Sequence, residues 1–358
     1  MVEARKRNSS IELLRILCIF GIIFMHTIAY GGDKLATYNR LLLIAVNCIT
    51  NLGVTCFMLI SGYFGVSFSL KKLIRLDLMV IFYSVAHLAI RFALGVDTGK
   101  TDILSAVFPI LSNLYWYITV YVILVILSPF LNRIPEKLSR DAFLRLIAIL
   151  LFFSSVVPTL LSFDLLGREG KNVVHMAAIY LIGRYIRQYD NRLYAKGRLL
   201  LLLAGNIGVT MLLELGLFFL TGRYSLFYRD CSLFTVCSSI LLFNVFRSLH
   251  FESRIVNKIA TTVLAVYVFS YGFQRLVYEL IPLKKYAFSP LLFPLICIFA
   301  PCVVVGCILI ELLRQKLFGG VEGRLVESLE TMLRNLHGQL CRLGHAVTGK
   351  VTEFIAKK

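Results

Sequence analysis

The chain has 358 residues, of which 58% are apolar, 16% are charged and 13% are aromatic. Soluble domains are about 45–50% apolar and about 25% charged, so this composition excludes an ordinary soluble domain, and equally a disordered, collagen-like or disulfide-stapled chain. In a soluble protein the formal net charge of +18 would suggest a nucleic-acid partner. In this chain its interpretation depends on where the charged residues lie relative to the apolar segments. The composition predicts a polytopic helical membrane protein.

Ten apolar segments approach or exceed the length of about 20 residues that a helix needs to cross a bilayer. They cover residues 11–30, 40–63, 73–94, 114–131, 142–163, 172–187, 199–220, 231–249, 259–281 and 289–313. A shorter apolar stretch at 102–112 is expected to be re-entrant or interfacial. The sequence therefore predicts an all-α transmembrane bundle of about ten helices within residues 1–318. Residues 319–358 are more polar, basic and helix-patterned, and are predicted to form a cytoplasmic amphipathic tail.

Lysine and arginine are unevenly divided between the two sides of this bundle. They are more frequent in the N-terminal segment, in the tail and in the loops after the second, fourth, sixth and eighth apolar segments than in the other loops. Cytoplasmic loops carry such an excess, so both termini are predicted to be cytoplasmic. We expect a multi-pass protein of a bacterial inner or plasma membrane, with membrane lipids but no nucleic acid among its partners. A cleaved signal peptide over residues 1–30 is the alternative, but Glu12 and Arg15 interrupt its apolar run and no small-x-small site precedes Gly31.

The first apolar segment carries the most informative ionisable residues, because such side chains are costly inside a membrane and mark functional sites. Arg15 and His26 are eleven residues apart, which places them within about 20° of one helix face and about 16 Å apart along the axis. Arg15 would lie at the cytoplasmic mouth, where its guanidinium suits a phosphate group and Glu12 would hold it. His26 would lie deeper, where an imidazole suits general-base work on a hydroxyl. The alternative is that Arg15 snorkels to lipid headgroups and that His26 is a packed core residue.

Three further observations concern residues inside or at the edge of the predicted membrane region. Glu214, in the seventh segment, is expected to form an ion pair inside the bundle. Trp116, the single tryptophan, lies beside Tyr117 and is either an interfacial anchor or a surface that stacks on an acceptor sugar. The nine cysteines lie mostly in apolar runs and form no CxxC pair, so neither a metal site nor a disulfide framework is predicted.

Several of these residues lie in motifs that resemble the acyltransferase 3 family of integral membrane acyltransferases. The first motif is an arginine and a histidine separated by ten residues, here Arg15 and His26. The second is an apolar run that closes on Ser-Gly-aromatic, here residues 56–64 with Ser61. The remaining motifs are a basic cluster at 71–75, an aromatic segment at 115–131 and an aromatic-aliphatic run at 264–269. The resemblance extends over residues 9–315.

The chain departs from the usual family pattern at a few positions. Lys71 and Lys72 stand where arginine is common, and Asp77 stands where proline is often found. Ser270 follows the last motif at a position where the family often has histidine, so the resemblance implies no role for it.

The resemblance implies transfer of an acyl group, usually acetyl, from cytoplasmic acyl-CoA to a sugar hydroxyl of a surface polysaccharide or lipid-linked saccharide. His26 would be the catalytic residue, acting either as the base for direct attack or as a nucleophile that is acetylated first. The acyl-CoA-binding residues would be Arg15, Lys71, Lys72 and Arg75, and the supporting or acceptor residues would be Glu12, Ser61, Trp116 and Tyr117. Acetyl-CoA would be a donor substrate, and no permanently bound cofactor or metal is expected.

Two other functions fit part of the sequence. A transporter or flippase for a saccharide lipid would also use charges inside the bundle, although paired halves with matching broken helices are not evident. A membrane scaffold would use the basic tail to recruit partners but would leave His26 without a role. Transfer of labelled acetyl groups from acetyl-CoA to a surface glycan would distinguish the enzyme from both alternatives.

Overall fold

The computed structural model describes residues 7–29, 34–190 and 194–356, so residues 1–6 of the basic N-terminal stretch lie outside it. The described residues form helices and connecting turns without a strand, which confirms the predicted all-α class. The α-helices are α1 (Ser9–Ala29), α2 (Thr37–Thr50), α3 (Gly53–Phe64), α4 (Leu70–Ala93), α5 (Lys100–Val107), α6 (Trp116–Leu131), α7 (Ile134–Lys137), α8 (Arg140–Leu151), α9 (Val157–Leu161), α10 (Val173–Tyr189), α11 (Lys196–Thr221), α12 (Leu233–Arg247), α13 (Arg254–Ile259), α14 (Val263–Leu280) and α15 (Leu292–Ala356).

The protein is a multi-pass membrane protein. Within the described chain, 8 helical stretches are long and apolar enough to cross a bilayer. They are Ser9–Ala29, Thr37–Phe64, Leu70–Ala93, Trp116–Lys137, Arg140–Leu161, Lys196–Thr221, Arg254–Tyr278 and Leu292–Leu340. All ten predicted segments coincide with helices. Two of them, which correspond to α10 and α12, are not among the 8 stretches because these helices have only 17 and 15 residues. The second predicted segment is divided into α2 and α3, and the stretch at 102–112 contains α5.

The contact between α3 and α10 lies at the centre of the bundle. A Cβ atom at Gly62 would overlap the backbone of Tyr180, and a Cβ atom at Gly183 would overlap the backbone of Leu59. Small residues at such a crossing let two helix backbones approach closely, which supplies packing energy that the lipid does not. The glycine of the Ser-Gly-aromatic motif therefore has a packing function, and α10 is among the most buried helices despite its short length.

Helix α1 also lies inside the bundle, where it packs against α2, α3, α12, α14 and α15. Its C-terminal half is held to α14 by a buried polar cluster. Gln274 Nε2 donates to the carbonyl oxygen of Ile23 at 3.0 Å and to Thr27 Oγ1 at 3.1 Å, and Tyr278 Oη donates to the same hydroxyl at 2.9 Å. Such bonds replace the water that a bilayer cannot supply. They fix the rotation of α1 in the turn that carries His26.

Glu214 on α11 is fully buried, and among the described residues its carboxylate contacts backbone N–H groups rather than the predicted cation. It accepts backbone N–H groups from Ser225 at 2.9 Å, from Tyr228 at 3.2 Å, and from Phe227. Backbone N–H groups satisfy a buried carboxylate as a cation would, because each donates a charge-assisted hydrogen bond. The residue therefore anchors the loop between α11 and α12 to the bundle.

Replacing Glu214 with alanine should lower the free energy of unfolding by about 3 kcal/mol, because three buried N–H groups lose a charged acceptor. Thermal unfolding of the purified protein in detergent measures this loss. The matched control is Glu136→Ala, which removes an exposed carboxylate from α7 and should change stability by less than about 0.5 kcal/mol. Equal stability of the two variants would contradict the anchoring function.

Candidate active site

A cavity of about 670 Å³, which we call the basic cavity, lies beside the N-terminal half of α1. Its cationic lining residues are Arg7, Arg15, Lys72, Arg75 and Arg314, and its anionic ones are Glu311 and Glu322. Apolar and aromatic side chains from α3, α4, α6 and α14 complete its walls. Cations that converge in a cleft with low-dielectric walls focus a positive potential and raise the local concentration of an anion. The basic cavity is therefore suited to a ligand with several negative charges and an apolar or neutral part.

Most of the residues predicted for donor binding line this cavity. Arg15, Lys72 and Arg75 do so, whereas Lys71 is absent from the lining and its ammonium lies 3.0 Å from Glu327 Oε1 on α15. Glu12 Oε2 lies 3.8 Å from Arg15 Nη1, as the spacing on α1 predicts. The structure thus brings three of the four predicted cations together at one cavity.

The predicted supporting residues divide between the two halves of the bundle. Ser61 and Tyr117 line the basic cavity, and the Ser61 hydroxyl donates to the carbonyl oxygen of Phe57 in its own helix at 2.8 Å. Trp116 instead borders both cavities that contain His26. Adjacent residues at the start of α6 therefore face different cavities.

Two smaller cavities meet at His26, near the C-terminal end of α1. The polar cavity, of about 180 Å³, includes Asn47, Asn51, Glu169, Lys171, Ser225, Arg229 and Asp230 in its lining. The aromatic cavity, of about 300 Å³, includes Leu114, Tyr115, Ser270, Tyr271 and Gln274. Ile22, His26, Trp116 and Tyr267 border both. The accessible surface of His26 is exposed rather than closed off in the core, and the residue borders both of these cavities.

Tyr267 on α14 separates the basic cavity from the two His26 cavities, because it lines all three. Its ring packs against that of Tyr117 with centroids 5.7 Å apart, and Tyr117 in turn packs against Phe57 at 6.1 Å and Tyr121 at 6.2 Å. We call these four rings the aromatic wall. The aromatic wall therefore borders the basic cavity, and its member Tyr267 also borders both cavities beside His26.

The middle of α15, around residues 311–322, borders the basic cavity. Arg314 Nη1 lies 2.6 Å from Glu322 Oε2, and Arg314 Nε lies 2.7 Å from Glu311 Oε2. Glu322 Oε1 is also 3.8 Å from Arg75 Nε. Helix α15 continues without interruption across the predicted boundary at residue 318, so the predicted tail contributes Glu322 to the cavity wall.

Sequence reasoning missed several lining residues for identifiable reasons. Tyr267 lies inside the motif at 264–269, so the sequence does point to this residue. The sequence does not indicate that its ring borders three cavities. Lys171 and Asp230 lie in loops, where no helical period predicts a direction. Among the described residues, no group of three or more His, Cys, Asp or Glu side chains comes together as a metal site.

Helix α1 of this multi-pass bundle thus carries an arginine that lines the basic cavity and a histidine that borders the polar and aromatic cavities. The chain belongs to the acyltransferase 3 family, whose model, described as an acyltransferase domain, matches residues 8–312. The protein is therefore a membrane acyltransferase. No curated protein and no solved structure matches the chain.

Proposed function

We propose that this membrane acyltransferase transfers an acetyl group from cytoplasmic acetyl-CoA to a sugar hydroxyl of a surface polysaccharide or lipid-linked saccharide, in a bacterial inner or plasma membrane. The observation that carries the proposal is the shared position of Tyr267 between the basic cavity and the two His26 cavities. Because of it, donor and acceptor have separate binding spaces that share Tyr267 as a wall residue, with His26 on the acceptor side.

The basic cavity matches the charge and length of acetyl-CoA. The nucleotide part of CoA is polyanionic, and Arg15, Lys72 and Arg75 supply cations for its phosphates. Arg15 and His26 are about 16 Å apart along α1. The pantetheine arm is narrow, uncharged and long enough to cover that distance past the aromatic wall. The thioester would then lie beside His26.

The chemistry follows from the position of His26. The imidazole takes the proton of the acceptor hydroxyl as its oxygen attacks the thioester carbonyl carbon, so that a C–O bond forms and the C–S bond breaks. The CoA thiolate leaves into the basic cavity and takes up the proton that His26 holds. In the alternative order His26 attacks the thioester first, CoA leaves, and the acetyl-imidazole then acetylates the hydroxyl.

Trp116 is suited to the acceptor side of this reaction. Its ring borders both His26 cavities and is half-buried, so one part of its surface is available to a ligand. Aromatic faces pack well against the apolar faces of sugar rings, and we assign Trp116 this contact rather than a lipid anchor.

The test uses membranes from cells that carry the native glycan, with and without the protein, and acetyl-labelled acetyl-CoA. Appearance of label on the glycan only in the membranes with the protein supports the proposed function. Movement of lipid-linked sugar across the membrane without acetyl-CoA would overturn it in favour of a flippase. A quench experiment without acceptor distinguishes the two chemical orders, because label bound covalently to the protein and lost in His26→Ala indicates an acetyl-His26 intermediate.

Replacing Glu322 with glutamine should lower the KM for acetyl-CoA about 2- to 5-fold, because an ion pair at a partly exposed site is worth about 0.2–1 kcal/mol. Glu322 pairs with Arg314 and lies near Arg75, so its loss removes a carboxylate that competes with the phosphates for both cations, while Arg314 keeps its pairing with Glu311. The matched control is Glu330→Gln, which removes a carboxylate that pairs with Arg334 further along the same helix. A KM that rises in Glu322→Gln, or falls equally in both variants, would contradict this account.

A further inference from the structure

Asp230 is a buried carboxylate that the donor chemistry does not use. It lies in the loop between α11 and α12, its side chain is 4% exposed, and it lines the polar cavity together with His26. Its Oδ1 atom has no hydrogen-bond partner among the described residues. A buried polar atom without a protein partner is costly, so this oxygen is available to a hydrogen-bond donor that enters the polar cavity.

The backbone around Asp230 is held in place from several directions. Its carbonyl oxygen lies 3.1 Å from Nε2 of the buried His175 on α10, and the Cys231 N–H donates to the carbonyl oxygen of Glu169 at 3.1 Å. On the other side, Arg229 Nη2 donates to the carbonyl oxygen of Pro158 at 2.8 Å. The backbone that carries the carboxylate is therefore held in place, which supports precise positioning of a substrate.

The polar cavity has the donor and acceptor groups that a polyhydroxylated ring needs. Asn51 and Lys171 face it beside Asp230, while Trp116 supplies an aromatic surface at its border with the aromatic cavity. Two carboxylates and two cations line it, so its charges balance and it does not select an anion as the basic cavity does. Neutral hydroxyl groups are the ligands that such a mixed lining satisfies best.

We propose that the polar cavity is the acceptor subsite and that Asp230 is a positioning residue, which accepts a hydrogen bond from one sugar hydroxyl while His26 deprotonates its neighbour. The inference rests on the proposed function, since it names the place of the acceptor in that reaction. In this proposal Asp230 determines which sugar hydroxyl is placed beside His26. It takes no part in forming or breaking a covalent bond.

Burial raises the pKa of Asp230 to about 6, partly offset by Lys171, so the carboxylate is ionised at neutral pH and protonated in mild acid. The other titratable groups that face the polar cavity, among the described residues, are His26, Glu169, Lys171, Tyr228, Arg229 and Tyr267. They are present in both wild type and an Asp230→Asn variant, so dividing the two rates at each pH removes the part of their titration that does not depend on the charge of Asp230.

The test measures acetyl transfer from labelled acetyl-CoA to the native glycan in membranes that contain wild type, Asp230→Asn or Asp230→Glu. We expect Asp230→Asn to be slower than wild type by at least about 10-fold at pH 7.5, the size of one lost charge-assisted hydrogen bond, with an unchanged KM for acetyl-CoA. The defect should shrink to within about 3-fold near pH 5, because the wild-type carboxyl is then also neutral. Asp230→Glu should restore part of the rate.

Two controls separate positioning from a structural effect. Asp97→Asn removes an exposed carboxylate from another loop and should leave the rate unchanged. The melting temperature of Asp230→Asn at pH 8 should not be lower than that of wild type, because the substitution removes a buried charge. A wild-type rate in Asp230→Asn, or a defect of equal size at both pH values, would overturn the inference. The proposed function would still stand if wild type transfers acetyl groups and His26→Ala does not. Absence of transfer by wild type would overturn both.

Discussion

Replacing His26 with alanine should lower acetyl transfer by about 10²- to 10⁴-fold, the contribution of a positioned general base. The effect should be on kcat, because His26 lies beyond the aromatic wall and does not line the cavity proposed for the CoA phosphates. Transfer of label from acetyl-CoA to glycan in membranes measures the rate. Binding of acetyl-CoA to the detergent-solubilised variant should be unchanged.

The matched control for this substitution is His250→Ala. His250 is exposed in the segment between α12 and α13 and lines none of the three cavities, so its loss should leave the rate unchanged. If His26→Ala kept the wild-type rate, both chemical orders described above would be wrong, because each requires the imidazole. A reduced rate accompanied by a lower melting temperature in His26→Ala would point instead to loss of folded protein, and thermal unfolding checks this directly.

Replacing Arg15 with alanine should raise the KM for acetyl-CoA about 10- to 100-fold, because a charge-assisted hydrogen bond to a phosphate is worth about 1.5–3 kcal/mol. Arg15→Lys should recover part of the affinity, since it keeps the charge but loses the planar fork of the guanidinium. Because the cavity is open to solvent, the wild-type KM should also rise with ionic strength. Titration of membranes with acetyl-CoA at several salt concentrations measures both effects.

Arg133→Ala is the control for charge alone. Arg133 is exposed in the segment between α6 and α7 and does not line the basic cavity, so its loss changes the net charge by the same amount without touching the site. An unchanged KM in Arg15→Ala, or an equal rise in both variants, would remove Arg15 from the donor site and return it to the alternative role of contacting lipid headgroups.

The parts of the fold that follow from local sequence could be predicted. Apolar segments of sufficient length must be helical in a bilayer, because each backbone group needs a partner within its own segment. The pairing of Glu12 with Arg15 follows from helical spacing in the same way. Length alone is a poorer guide to α10, which is short yet buried. Its position depends on the contact with α3, which the glycines allow.

The parts of the site that depend on contacts between distant segments could not be predicted. Asp230 reaches the polar cavity through a loop that Glu214 and His175 hold, and none of these contacts has a sequence period. Lys71 lies in the basic motif, but a pairing with Glu327 some 256 residues away takes it out of the cavity lining. The sequence shows which residue types are present, but the direction in which each side chain points is set by tertiary packing.

The aromatic wall has a consequence for what crosses the membrane. In the proposed reaction donor and acceptor bind on opposite sides of Tyr267, so only the acetyl unit would change compartment, while the charged nucleotide would stay where it was made. The enzyme would thereby export a chemical group without exporting its carrier, and each turnover would leave the ion gradients of the cell untouched except for one proton. The leaving thiol carries that proton into the basic cavity, so the proton emerges on the donor side of the rings of Tyr117 and Tyr267.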